Sequence, residues 1–396
     1  MSTLITATTN DAPLAPQAIP TTTAPGPRRA RIDFLDNLRT FLVFLVIVYH
    51  AGIVYESSGV GATFWIVDDP ATNNLSGLVN LVLDVFVMAG IFFVAGFFAP
   101  RSLTAKPGLA FLKSKFRRLM VPWLFAVLTL VPLYKMLFLA SRDLPQDSWG
   151  AYFHFSNGLF GQSWLWFLPV LFLFETLFWL GSKLRLDLRW LSFRAGLAGA
   201  ALVGFGYSLA MDLLELRGWT KTVLFDFQNE RLAIYFLVFL LGALGSERRI
   251  FEGPKASNGL FHTVNSLAWL PTTAYLVFLL YPWLNPGKVL LGPVVDRVIV
   301  WSSFHLALAA WIFALVETFR RIGDRRNKLS TALAQTSYSI YIVHTVVLGA
   351  VATLLLDVAL PSVVKYLVLS VATFAVSHGL AVAWRRLVSQ PRRASA

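Results

Sequence analysis

The chain has 396 residues, of which 56% are hydrophobic, 14% are charged and none is cysteine. Soluble domains carry about 25% charged residues, so too few polar side chains exist to cover a water-exposed globule. The apolar content excludes a disordered chain, and the missing cysteines exclude a disulfide scaffold or a thiolate metal site. The mean hydropathy of +0.63 and the net charge of +13 fit a polytopic membrane protein with basic loops.

Residues 1–30 are rich in Ala, Pro and Thr and read as a disordered cytoplasmic tail without a signal peptide. Apolar runs able to cross a bilayer, roughly 17–25 residues each, follow at 34–56, 77–99, 119–140, 164–181, 194–214, 231–246, 262–284, 297–319, 333–357 and 362–386. The fourth and sixth are short. Ten spans put both termini on one side. That side carries 25 of the 34 Lys and Arg residues, which makes it cytoplasmic by the positive-inside rule. The expectation is an all-α integral membrane protein with about ten transmembrane helices. Residues 31–388 form its one membrane domain, and 389–396 a short basic cytoplasmic tail. The positive charge is then a topology signal, and no nucleic-acid partner is expected.

The first span holds Arg39 and His50, eleven residues apart. At 100° per residue they lie about 20° from the same helix face, separated axially by about 16 Å. His50 falls in the outer half of the membrane. Asp36, one turn before Arg39, offers an i,i+3 ion pair. Ionisable groups inside a span are costly and mark function by default. Later segments add Phe92-Phe93-Val94-Ala95-Gly96-Phe97-Phe98 and a basic loop, Lys113-Ser114-Lys115-Phe116-Arg117-Arg118, that ends at Pro122. They also add Trp164-Leu165-Trp166-Phe167-Leu168-Pro169 and Ser337-Tyr338-Ser339-Ile340-Tyr341-Ile342-Val343-His344. Small residues in the Phe-rich segment suit close helix packing. Tyr341 and His344 share one helix face. Asp84, Glu175, His305, Glu317 and His378 read as interhelical polar contacts, and Glu230-Arg231 as a local ion pair. No Walker-type loop, HExxH or GxSxG motif is present, and the six His residues show no ligand spacing, so no metal is expected.

These segments, taken in order over roughly residues 30–386, resemble the membrane-bound acyltransferase family 3, which carries Arg/Lys-x10-His in its first helix. Their order looks closest to the glucan biosynthesis protein C branch. Ala95 stands where the family usually has Ser, and Lys115 where it has the first Arg of an Arg-x-x-Arg pair. The resemblance implies an enzyme of the bacterial inner membrane that moves an acetyl or succinyl group from acyl-CoA, its co-substrate, to a carbohydrate or glucan hydroxyl. It implies His50 and Arg39 as catalytic, with His50 a general base or transient acyl carrier. Lys115, Arg117 and Arg118 would hold the phosphates of coenzyme A. Tyr341, His344 and Trp166 would contact the acceptor. The competing reading is a transporter of a glycan, lipid or organic anion. The composition does not fix an oligomeric state.

Overall fold

The computed structural model describes residues 32–59, 64–153, 161–184 and 190–389. The tails expected at 1–30 and beyond 389 lie outside them. Eleven helices follow in order: α1 Asp33–Tyr55, α2 Asn74–Ala105, α3 Leu109–Ala140, α4 Phe167–Lys183, α5 Phe193–Leu213, α6 Leu232–Glu247, α7 Asn258–Leu267, α8 Trp269–Leu284, α9 Pro293–Ile322, α10 Lys328–Leu355 and α11 Ser362–Ser389. Between α5 and α6 a hairpin pairs β1 (Trp219–Lys221) with β2 (Asp226–Gln228), antiparallel. With an isolated bridge between Glu56 and Asn73, this hairpin is the β structure among the described residues. Polar caps set the starts of several helices. Asn73 accepts from the Ser76 N–H ahead of α2, Ser192 from Ala195 ahead of α5, and Asn327 and Ser330 cap α10 reciprocally.

Nine of the described segments are long and apolar enough to cross a membrane, and the protein is a polytopic membrane protein. The seventh expected span combines α7 and α8. Pro271 has no N–H to give the carbonyl of Leu267, the last residue of α7, so the helical hydrogen bonding is interrupted there. The sixth expected span, α6, has 16 residues. At 1.5 Å per residue it is about 24 Å long, shorter than the roughly 30 Å hydrocarbon core.

Three helix pairs fix the frame of the site. The side chain of Leu42 meets Gly90, and that of Asn80 lies against Gly52. Ten residues along α1 are therefore matched by ten back along α2, so the two are antiparallel. This places Tyr49 and Asp84 at one level. The α2–α6 pair is parallel, with backbone against backbone. A Cβ on Gly96 would stand 1.9 Å from the Phe239 carbonyl oxygen, and one on Gly242 would stand 2.1 Å from that of Phe93. Only glycine fits at either position, which is the close approach that small residues permit between membrane helices. The third pair, α1 and α10, is also parallel. Arg39 reaches the carbonyl of Ala334, 295 positions on, and His50 reaches His344, 294 positions on.

Buried charges are paired across helices, as their desolvation requires. Lys115 on α3 is bonded to Glu175 on α4, and Lys365 on α11 lies 3.0 Å from Asp69 in the α1–α2 loop. Glu317 holds Arg320 at 2.7 Å and also accepts from the Ala256 N–H, which fastens the chain before α7 to α9. The expected Glu230–Arg231 ion pair does not form. Arg231 turns instead to Asp84 on α2 at 2.7 Å, while Glu230 accepts from the Gly218 N–H at the hairpin. Neighbours in sequence at a helix start point in different directions, and Asp84 is the carboxylate that faces α6.

Candidate active site

His50 lies in the second half of α1, half-buried, and its partner is His344 on α10, which is wholly enclosed. The Nδ1 of His50 is 2.7 Å from the Nε2 of His344. The ring planes differ by 6° and the centroids lie 5.0 Å apart. The nitrogen separation is shorter than the centroid separation by about one ring width, so the rings meet edge to edge along a hydrogen bond.

The network assigns the protons. The Nδ1 of His344 faces the Tyr341 carbonyl oxygen at 2.6 Å. A carbonyl only accepts, so that nitrogen carries hydrogen. In a neutral His344, Nε2 is then an acceptor, approached also by the Thr345 hydroxyl at 3.1 Å. A neutral His50 must donate from Nδ1, which leaves a lone pair on its Nε2. No carboxylate is bonded to either ring among the described residues, and an enclosed charge without a partner is costly. The neutral pair is therefore the arrangement consistent with the burial.

Aromatic rings wall this pair. Trp65 from the α1–α2 loop lies 4.8 Å from the His50 ring. Tyr134 of α3 sits between Trp65 (6.0 Å) and Trp164 (5.7 Å). Its hydroxyl donates to the Phe64 carbonyl at 2.7 Å, and Arg142, in the turn after α3, donates to that of Trp65 at 3.1 Å, so α3 and this turn hold the loop against His50. Trp164 lies in a short 3-10 turn, Ser163–Trp166, ahead of α4. Its indole donates to the Ile342 carbonyl at 2.9 Å, and its own carbonyl accepts from the Tyr341 hydroxyl. Sequence reasoning missed Trp65 and Tyr134. The signal was the apolar run Trp65-Ile66-Val67 inside a connecting segment, all three residues of which are buried.

The other expected site residues are distributed as follows. Arg39 is about 16 Å from His50 by helix rise. It bonds the Ala334 carbonyl at 3.0 Å and forms the expected pair with Asp36 at 3.1 Å, so the fold does not bring it to the His50 ring. Tyr341 and His344 are both enclosed, their polar atoms directed at Trp164, His50 and backbone. Lys115 points inward to Glu175, whereas Arg117 and Arg118 are exposed. The Arg118 carbonyl accepts from the Tyr338 hydroxyl, which links α3 to α10. Trp166 is half-buried between Phe92, Trp219 and Tyr235, with ring centroids 6.4, 5.5 and 6.1 Å away.

A family model described as an acyltransferase domain matches residues 32–382. The chain belongs to this acyltransferase family. No curated protein and no solved structure gives a match. The matched range runs from the start of α1 into α11 and so contains the His50–His344 pair. This member is a membrane acyltransferase, as the apolar helices and the family together require.

Proposed function

We propose that the protein transfers an acetyl or succinyl group from acyl-CoA, bound at the cytoplasmic face, to a hydroxyl of a carbohydrate acceptor reached from the opposite side. In this reading both termini are cytoplasmic and the membrane is the bacterial inner membrane, with α6 as a tenth, short crossing. The observation that carries the proposal is the half-buried His50 whose second nitrogen is held in place by an enclosed His344.

The acceptor O–H gives its proton to the Nε2 of His50 as the oxygen attacks the thioester carbonyl carbon. Collapse of the tetrahedral intermediate breaks the C–S bond. The departing thiolate takes the proton back from Nε2, and the products are an ester and free coenzyme A. His344 orients His50 and fixes the tautomer with the lone pair at Nε2. Trp65, Tyr134 and Trp164 limit water around the reacting atoms. Arg118 and Arg117, exposed where α3 begins, supply charge for the phosphates of the donor. Lys115 acts on that surface only through Glu175. Arg39 anchors α1 to α10 on the donor side.

The test is transfer from radiolabelled acetyl-CoA and succinyl-CoA to a panel of glycans by protein in nanodiscs. Wild type transfers label and His50→Ala, shown to be folded, does not. Absence of both turnover and coenzyme A binding in folded wild-type protein overturns the proposal.

A further inference from the structure

Asp84 is a carboxylate in the eleventh position of α2, yet its side chain keeps 28% of its surface accessible. The groups around it belong to the bundle interior. Arg231 grips it twice, NH2 to the carboxylate at 2.7 Å and NH1 to its backbone carbonyl at 2.7 Å. Tyr275 bonds the same guanidinium at 3.1 Å, and Phe304 lies under it at 4.8 Å. These partners come from α6, α8 and α9, so Asp84 keeps its accessible surface among groups that four helices supply. A charge at that depth needs a partner, and Arg231 supplies one to a single oxygen. Oδ2 is held by Arg231, and among the described residues Oδ1 accepts no hydrogen bond.

Asp84 lies at the level of the reacting histidine. The α1–α2 register sets Asp84 beside Tyr49, the neighbour of His50, and Asp84 and Arg231 are the leading charges acting on Tyr49. From there aromatic rings lead to the surface. Tyr235 follows Arg231 by one helical turn, its ring lies 6.1 Å from Trp166 at 29°, and Trp166 meets the exposed Trp219 of the hairpin at 5.5 Å. Aromatic faces take the C–H faces of sugar rings, and a fixed carboxylate oxygen accepts from their hydroxyls. Carboxylates predominate here. Glu56 and Glu230 also act on these tyrosines, and of the arginines Arg231 is paired with Asp84 and Arg217 with Asp212.

We propose that the track Trp219–Trp166–Tyr235–Asp84 is the acceptor subsite and that it takes an uncharged carbohydrate chain, with one hydroxyl donating to the free oxygen of Asp84. This rests on the acyl-transfer reading for its purpose, but not for its test. Binding of a tritiated neutral glucose hexasaccharide to full-length protein in nanodiscs is measured with no donor present. Asp84→Asn keeps an oxygen for Arg231 and removes the negative charge. It should weaken binding about tenfold, the scale of a hydrogen bond to a charged group. Trp166→Leu should weaken it similarly, and a phosphorylated hexasaccharide should bind wild type less tightly than the neutral one.

Equal affinity in wild type and both folded variants overturns the subsite, as does tighter binding of the phosphorylated sugar or no binding to wild type. Where transfer is measurable, Asp84→Asn should raise acceptor KM and leave donor KM unchanged. Wild-type binding with no transfer from any donor sinks the acyl-transfer reading alone, while transfer with an unaltered acceptor KM in Asp84→Asn sinks the subsite alone.

Discussion

Replacing His344 separates orientation of His50 from its chemistry. In His344→Leu the His50 Nδ1–H loses its acceptor 2.7 Å away. An unsatisfied buried donor costs about 1–3 kcal/mol, so the tautomer with a lone pair at Nε2 becomes disfavoured by that amount. The expected loss in kcat is about 10- to 100-fold. In His344→Gln the amide oxygen reaches nearly the same point and accepts again, so kcat should stay within about tenfold of wild type. His50→Ala loses the base itself, worth about 10²–10⁴. The assay is initial-rate transfer over a range of acyl-CoA concentrations. An independent readout comes from protein labelled with 15N-histidine, in which the His50 Nδ1 signal should be protonated in wild type and in the Gln variant but not in the Leu variant. Donor KM should hardly change in either. A folded His344→Leu at the wild-type rate, or a Gln variant as slow as the Leu variant, refutes the tautomer argument.

Three other outcomes follow from the packing. Gly242→Val drives a side chain into the Phe93 carbonyl and must part α2 from α6. It should cost about 1–3 kcal/mol and lower the melting temperature, whereas Gly379→Ala, with nothing within 4 Å, should not. Lys115→Met alone strands Glu175 and should destabilise by about 3–5 kcal/mol; adding Glu175→Gln should recover most of that, and the double variant should keep the donor KM that Arg118→Ala raises. Asp226, in the hairpin, has its carboxyl raised above the usual range by burial, which outweighs the N–H groups of Thr222 and Gln162. The folded state then binds protons more readily than the unfolded one. Stability should rise as pH falls through the window between the two values and decline as pH rises. Asp226→Asn should flatten that dependence in melts across the mildly acidic range.

The spans were legible because each long apolar run has no alternative to a helix in lipid. The boundaries of α1, α5 and α6 follow the hydropathy to within one residue. What escaped was tertiary. Nothing local says that Arg231 will choose Asp84 over Glu230, its neighbour, because the choice depends on the α2–α6 register set by Gly96 and Gly242. His50 was legible as an ionisable group in a span. Its link to His344 was not, since 294 residues separate them. The orientation of Lys115 was hidden too: a basic cluster reads the same whether a member faces water or a buried carboxylate. Trp65 and Tyr134 carry no charge to mark them, and a loop tryptophan next to a histidine is visible only once the loop has folded back over α1.

The two bonds from α1 to α10 give the eleven-residue spacing between Arg39 and His50 a mechanical meaning. They sit at nearly the same offset, one near each end of the rod, so α1 is bolted at two points to a single neighbour. Inserting one residue between them would turn one bolt by about 100° and open it while the other held. A slide along the helix axis would strain both at once. A ligand that pulls on Arg39 near the face where α1 begins therefore pulls on the imidazole three turns away through a shaft that cannot slip, and the spacing serves as a length standard shared by two helices nearly three hundred residues apart.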